Sequence, residues 1–500
     1  MANYGFAIDL RKCIGCHACT IACKAEHDIP IGVNRCWVKT VEKGTFPDTR
    51  RFFFPVLCNQ CDAAPCVSIC PTRALYKRRD GIVDLNGAAC IGCRACMEAC
   101  PYDQLFIDPN TRTAEKCNFC ANRVENNLLP SCVIVCPTQC RIFGDLDDPA
   151  SDVSQIAHNL PVTVRKPEKG TLPKVLYVAA EESAIRPEVA ARPLIFKEGE
   201  VRLRPLGAIE EDADDPGRPR VDYDVPHAKP WGIETALYLL TKGIASGAML
   251  LGALLWLAGF RETLMAVVAP IAAILFATIT AVILIVDLDR PERFFYILTR
   301  PNWTSWVARG AYILTAFGGI ATAWLAAGWL GMGTVLTWLA VPAAILAVMT
   351  ACYTAFLFAQ GHARDFWQGP YAAVDLIAQA AIEGAAVLML IAPFVGAQPR
   401  LVTALRLVLV GGLALHLLLL AFEHLTPSPT VHHRLALRTI ARGAYARPYW
   451  TIAILLGGIV PVALLQLEQP WAHAGALAAL VGTFAWEYIW VEAGQAVPNS

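Results

Sequence analysis

CIGCHACTIAC at residues 13–23 and CIGCRACMEACP at residues 90–101 write nearly the same cysteine pattern twice in one chain. Both follow C-x2-C-x2-C-x3-C, a spacing suited to cysteine-held iron–sulfur cubes. In that pattern the fourth cysteine serves the neighbouring cluster of a pair, so each such motif needs a partner motif. Two further motifs supply the partners. In order, the sets are Cys13, Cys16, Cys19, Cys23; Cys58, Cys61, Cys66, Cys70; Cys90, Cys93, Cys96, Cys100; and Cys117, Cys120, Cys132, Cys136. The last three are each followed by a proline, at Pro71, Pro101 and Pro137. Sixteen thiolates meet the needs of four 4Fe-4S clusters, at four ligands per cube. Cys36 and Cys140 stand outside the pattern and read as small buried residues.

Eighteen of the nineteen cysteines precede residue 141; the other is Cys352. A disulfide scaffold would need an exported context, and MANYGFAIDLRKC at the start shows no apolar leader core. Structural zinc uses two separated pairs, not four cysteines within eleven residues. Arg50 and Arg51, in TRRFFFP, lie between cysteine motifs and read as strand sequence rather than a twin-arginine leader. Asp80–Gly81 in ALYKRRDGIVDLN predicts a hairpin turn, and QLFIDPNTRTAEKC a second hairpin. Net charge is zero, which gives no argument for a nucleic-acid partner. At 500 residues the chain should hold more than one domain.

CNQCDAAPCVSICPTRA (58–74) and CPTQCRIFGDLDDP (136–149), taken with the other two motifs, give residues 4–180 a family resemblance. The region resembles the four-cluster electron-transfer subunits of molybdopterin oxidoreductases of the dimethyl-sulfoxide and polysulfide reductase type. The resemblance implies that motifs one and four share two clusters and motifs two and three the other two. It also implies an electron relay whose substrate chemistry happens on a separate molybdopterin-containing catalytic subunit.

Residues 181–230, with EEDADDPGRPRVDYD, read as an irregular surface connector. From Trp231 onward Leu, Ala, Ile, Val and Gly dominate, and no lysine follows Lys242. About twenty apolar residues cross roughly 30 Å of hydrocarbon. Eight spans are expected near 234–259, 263–287, 305–329, 335–358, 373–397, 401–424, 448–467 and 472–491. Buried helices of a water-soluble protein would leave eight such stretches almost no polar face. The fold class is therefore an α+β ferredoxin-like domain with four 4Fe-4S clusters over residues 1–180, then an all-α eight-helix transmembrane bundle over 231–500. Loops on the cluster side hold Arg290, Arg293, Arg300, Arg364, Arg434, Arg438, Arg442 and Arg447, against Arg261, Arg400 and Arg406 opposite. Positive charge collects in cytoplasmic loops. The cluster domain is expected to face the cytoplasm from a bacterial inner membrane.

DLDRPERFFYILTRPNWTSW (287–306), ALYLLTKGIASGA (236–248) and CYTAFLFA (352–359) resemble the NrfD-like membrane anchors of polysulfide reductase type, over about residues 231–425. That implies a quinone-reactive bundle. Polar residues gather at the cluster-side span ends: Glu234, Thr235, Tyr238, Asp287, Asp289, Arg290, Arg309, Tyr353 and Thr354. They are the expected quinone (ubiquinone or menaquinone) residues; the resemblance carries over a tyrosine at Tyr353 and polar residues where Thr235 and Tyr238 stand. Lys242, Glu383 and His416 lie deep in spans, where charge is costly and lines pathways or pairs. A proton route is expected from Glu383 or Lys242 toward the quinone, or else Lys242 and Glu383 form a buried ion pair. Glu423, Glu487 and Glu492 should reach headgroups. Haem needs paired histidines within spans, and His416 is alone there, so none is expected.

The favoured reading is a fused electron-transfer and anchor subunit. It carries the quinone site but not primary catalysis, and passes electrons to quinone in the manner of sulfite dehydrogenase complexes. A nickel–iron hydrogenase partner and a redox-driven proton-translocating module are the alternatives.

Overall fold

The computed structural model describes residues 2–187, 189, 196–197, 200–201 and 219–499. Tyr4–Asp9 is buried along almost its whole length because it lies inside a four-stranded sheet. It pairs antiparallel with Arg141–Asp145 and parallel with Val175–Val178, whose other edge holds Val162–Thr163. Two hairpins form where the turn signals stand, Leu75–Lys77 with Val83–Leu85 and Phe106–Ile107 with Ala114–Glu115. Arg50 and Arg51 lie in the strand Asp48–Leu57, paired with Cys36–Thr45.

The connector expected to be irregular falls largely on residues outside the described ones. Its end departs from that expectation. Arg220–Tyr223 is a third strand on Cys36–Thr45, with Val221 buried. Asp224 then accepts a 2.8 Å bond from buried Trp37 Nε1. An alternating strand with an inward valine outweighs the local proline and acidic content.

Among the described residues, eight helices are long and apolar enough to cross a membrane: Ile233–Leu257, Leu264–Val286, Trp306–Trp329, Gly333–Ala359, Ala372–Val395, Pro399–Leu425, Ala446–Leu464 and Trp471–Gly494. The first is the axis of the bundle, with 89% of its most apolar window buried against 28% for the second. Small residues allow that burial. A Cβ on Gly247 would run into the Ala380 carbonyl, and one on Gly384 into the Gly247 backbone. Helices in lipid associate through such close backbone contacts, since lipid tails are as apolar as leucine.

Candidate functional site

The repeated cysteine sequence produces a repeated backbone. Gly15 and Gly92 take φ of 69° and 71°, and His17 and Arg94 both take 59°, directly before the helices Ala18–Glu26 and Ala95–Ala99. Left-handed residues of this kind turn successive N–H groups inward, a geometry suited to an anionic centre. Cys23 lies near Cys120 and Cys132, with burial and those thiols pushing it up to about 12. Cys61 neighbours Cys58 and Cys100. Cys93 neighbours Cys70 and Cys90, and a small cavity is lined by Cys70, Cys90, Cys93 and Cys96 together. Cys140 sits between Cys13 and Cys136. Buried thiols gathered in fours repel one another as thiolates, and iron supplies the neutralising charge. The donor set fits 4Fe-4S cubes.

The second domain is held to this cysteine core by charge-assisted bonds. Arg94 grips Asp289 through two nitrogens at 2.7 and 3.0 Å and reaches Asp287 at 3.4 Å. Arg293 donates to the Gly87 and Cys90 carbonyls. Asn302 donates to the Cys70 carbonyl, and Ser305 to that of Ile69. Arg364 meets Glu98 at 2.6 Å in a buried ion pair. The carboxyl-terminal residues also join the two halves: Lys166 bonds the Asn499 side chain at 2.8 Å.

Beneath this seam lies a cavity of about 320 Å³. Its polar lining is Thr235, Tyr238, Asp287 and Tyr353, and Cys93 of the third motif is part of its wall. Ala281 and Thr315, which also line it, are exposed on the outer face of the bundle. Thr354, beside both tyrosines, accepts from Lys242 Nζ at 2.7 Å, and the buried Tyr238 hydroxyl has no partner among the described residues. Gly310 leaves room for the Tyr353 ring, which a Cβ there would strike.

Residues 224–499, more than half of the chain, match the family model described as polysulphide reductase, NrfD. The chain belongs to the NrfD polysulphide reductase family. Residues 49–146 match the model of a 4Fe-4S dicluster domain. A tetrathionate reductase subunit of Salmonella typhimurium is 41% identical over 201 residues, 39% of this chain and 80% of the relative. The arsenate respiratory reductase iron-sulfur subunit of a Shewanella species is 36% identical over 222 residues, 35% of this chain and 95% of the relative. A polysulfide reductase polypeptide of Wolinella succinogenes is 42% identical over 188 residues, 37% and 97% respectively. The chain thus joins an iron–sulfur electron-transfer region to an NrfD-type multi-pass membrane region.

Within this NrfD-family bundle, four of the nine residues expected around quinone line the cavity and five do not, Thr354 being held by Lys242 outside its lining. Asp289 is occupied by Arg94, and Arg290 donates to the Thr111 carbonyl and pairs with Glu292, so both serve the domain seam. Arg309 is exposed, bonding the Trp303 carbonyl and covering the Trp306 ring at 4.9 Å. Glu234 is exposed at the start of its helix. Sequence order clusters these residues at one membrane level, but which side of a helix faces inward is a matter of packing. Cys93 and Trp231 were absent from the expected lining. Trp231, whose Nε1 reaches the Cys93 carbonyl at 3.4 Å, had a signal as the aromatic directly ahead of the first span.

The deep ionisable residues line no part of that cavity. Lys242 Nζ is bonded to the Ala351 carbonyl and Thr354, 5.3 Å from the Tyr353 ring. It makes no ion pair with Glu383, contrary to one of the expectations; both Glu383 carboxylate oxygens are buried without a partner among the described residues. His416 pairs with Asp375 at 2.6 Å. The expectation that three glutamates reach headgroups also fails. Glu487 is buried inside the bundle, Glu423 pairs with His433, and Glu492 pairs with Lys229. Glu423 and Glu492 meet partners from segments folded beside their helix ends, whereas Glu487 lies well inside its helix and is buried.

Proposed function

We propose that this chain relays electrons between a separate catalytic subunit and membrane quinone through four 4Fe-4S clusters held by the sixteen motif cysteines. Motifs one and four hold one pair of clusters, and motifs two and three the other. When bound, the cubes supply one-electron carriers. The observation that carries this reading is the shared wall: Cys93 and the polar groups of Thr235, Tyr238, Asp287 and Tyr353 line one cavity open to the bundle's outer face. An apolar tail can enter between spans two and three, while the tyrosine hydroxyls donate to a quinone carbonyl. Lys242 bonded to Thr354 orients the hydroxyl network behind them. The quinone is ubiquinone or menaquinone.

The catalytic partner is a molybdenum or tungsten enzyme on the cytoplasmic side of a bacterial inner membrane. The names of the relatives, reductases of tetrathionate, arsenate and polysulfide, support a partner acting on a small oxyanion or sulfur compound. The fused arrangement's resemblance to sulfite dehydrogenase complexes supports flow toward quinone, whereas the relatives' names favour flow from quinol. Anaerobic reduction of the purified complex with dithionite, followed by addition of a short-chain quinone, tests the relay. Rapid reoxidation of the clusters, slowed in Tyr353→Phe, is expected. Reoxidation by soluble dyes but not by quinone would refute it. Iron near sixteen per chain, with molybdenum or tungsten near one, completes the test.

A second reading, redox-driven proton translocation, is supported by Glu383. An ionisable side chain buried without a partner in a span marks a pathway more often than a scaffold.

A further inference from the structure

Arg141 lies outside the four cysteine motifs and away from the quinone cavity. It opens the strand Arg141–Asp145, is 2% exposed, and has no carboxylate within ion-pair distance among the described residues. Its neighbours are sulfur. Nη2 donates to Cys36 Sγ at 3.0 Å and Nη1 to Cys132 Sγ at 3.8 Å, while Nε has no partner. Cys36, which also stands outside the four motifs, lies beside Cys19. A guanidinium buried without an anion is strongly disfavoured. Only a negative centre nearby offsets that, and Cys19 and Cys132 belong to the two sets formed by motifs one and four.

We propose that Arg141, acting directly on the Cys132 side and through Cys36 on the Cys19 side, is a positioning residue that raises the reduction potentials of the motif one–four cluster pair. This rests on the reading that Cys19 and Cys132 are cluster ligands. Adding an electron makes a cluster more negative, so a fixed cation and a hydrogen bond to ligand sulfur both favour the reduced form. The guanidinium is charged at any working pH, so the effect needs no titration. Electrons are thereby drawn to this pair relative to the pair beside the quinone cavity.

The test is redox-titrated electron paramagnetic resonance of the purified complex, wild type against Arg141→Gln, Arg141→Lys and Cys36→Ala, with iron measured on each. Arg141→Gln with full iron should move two of the four midpoints to lower potential and leave two in place. Arg141→Lys should restore most of the shift, and Cys36→Ala should lower one midpoint alone. Full iron with all four midpoints unmoved, or all four displaced together, overturns the proposal. If Arg141→Gln loses iron, Cys36→Ala decides, since it keeps the guanidinium: one midpoint lowered supports the role, none lowered overturns it. A wild-type complex without cluster signals would instead defeat the underlying relay.

Discussion

Removing Arg364 should loosen the cluster domain from the membrane bundle far more than removing it together with Glu98. The pair is 2.6 Å apart, with side chains 6% and 0% exposed, and joins the loop after the fourth span to the third cysteine motif. Arg364 also donates to the Gln495 and Val497 carbonyls of the carboxyl-terminal tail. Glu98 Oε1 already lacks a partner among the described residues, so Arg364→Met leaves that carboxylate with none at either oxygen. Breaking a buried pair from one side costs about 3–5 kcal/mol. At tenfold per 1.4 kcal/mol, the open population should rise by about a hundredfold or more. Burial raises the Glu98 pKa, so the folded state holds its proton to higher pH than the unfolded chain does. The cost should therefore be largest above the folded pKa and shrink as pH falls toward the ordinary glutamate value of about 4.3. Hydrogen exchange at Ala363, whose N–H donates to the Glu98 carbonyl at 3.2 Å, reads the opening locally. The double variant Arg364→Met/Glu98→Leu should regain most of the loss, because apolar replacement of a buried pair is often neutral. Protection unchanged in Arg364→Met, or a double variant as weak as the single, would sink this account.

Gly310→Ala, which places a methyl group in the Tyr353 ring without lining the cavity, should raise the quinone KM in the same direction as Tyr353→Phe. For Tyr353→Phe the rise should be about three- to tenfold, the worth of one neutral hydrogen bond; steady-state quinone kinetics compare the two. Cys66→Ser should lower iron from about sixteen to about twelve per chain, as one cube loses a ligand, measured by metal analysis. Under proton translocation, Glu383→Gln in sealed vesicles should abolish proton movement while quinone turnover persists; if both persist, Glu383 lies off the route. Gly247→Leu should lower thermal stability in detergent by about 1–3 kcal/mol or more through overpacking, whereas Gly318→Leu, which meets open space, should not.

Much of this molecule was legible in the order of its residues. Cluster chemistry needs cysteines at fixed short spacings within single loops, so the four motifs were written locally, while the left-handed Gly15 and Gly92 that shape two of them emerge in the structure. Membrane spans must be continuous and apolar, so all eight were placed to within a few residues. The hairpin at Asp80–Gly81 likewise follows from turn chemistry alone. What the sequence could not decide was which polar residue at a shared membrane level faces which neighbour. Tyr353 lines the cavity while Asp289 clasps Arg94, although both stand at cluster-side span ends, because each is placed by its own packing partner, Gly310 against the Tyr353 ring and Arg94 on Asp289. Cys93 in the cavity wall, Glu487 in the interior and Arg141 among the sulfurs belong to the same class. Each position is settled by tertiary packing, within the cluster domain for Arg141, within the bundle for Glu487 and at their seam for Cys93.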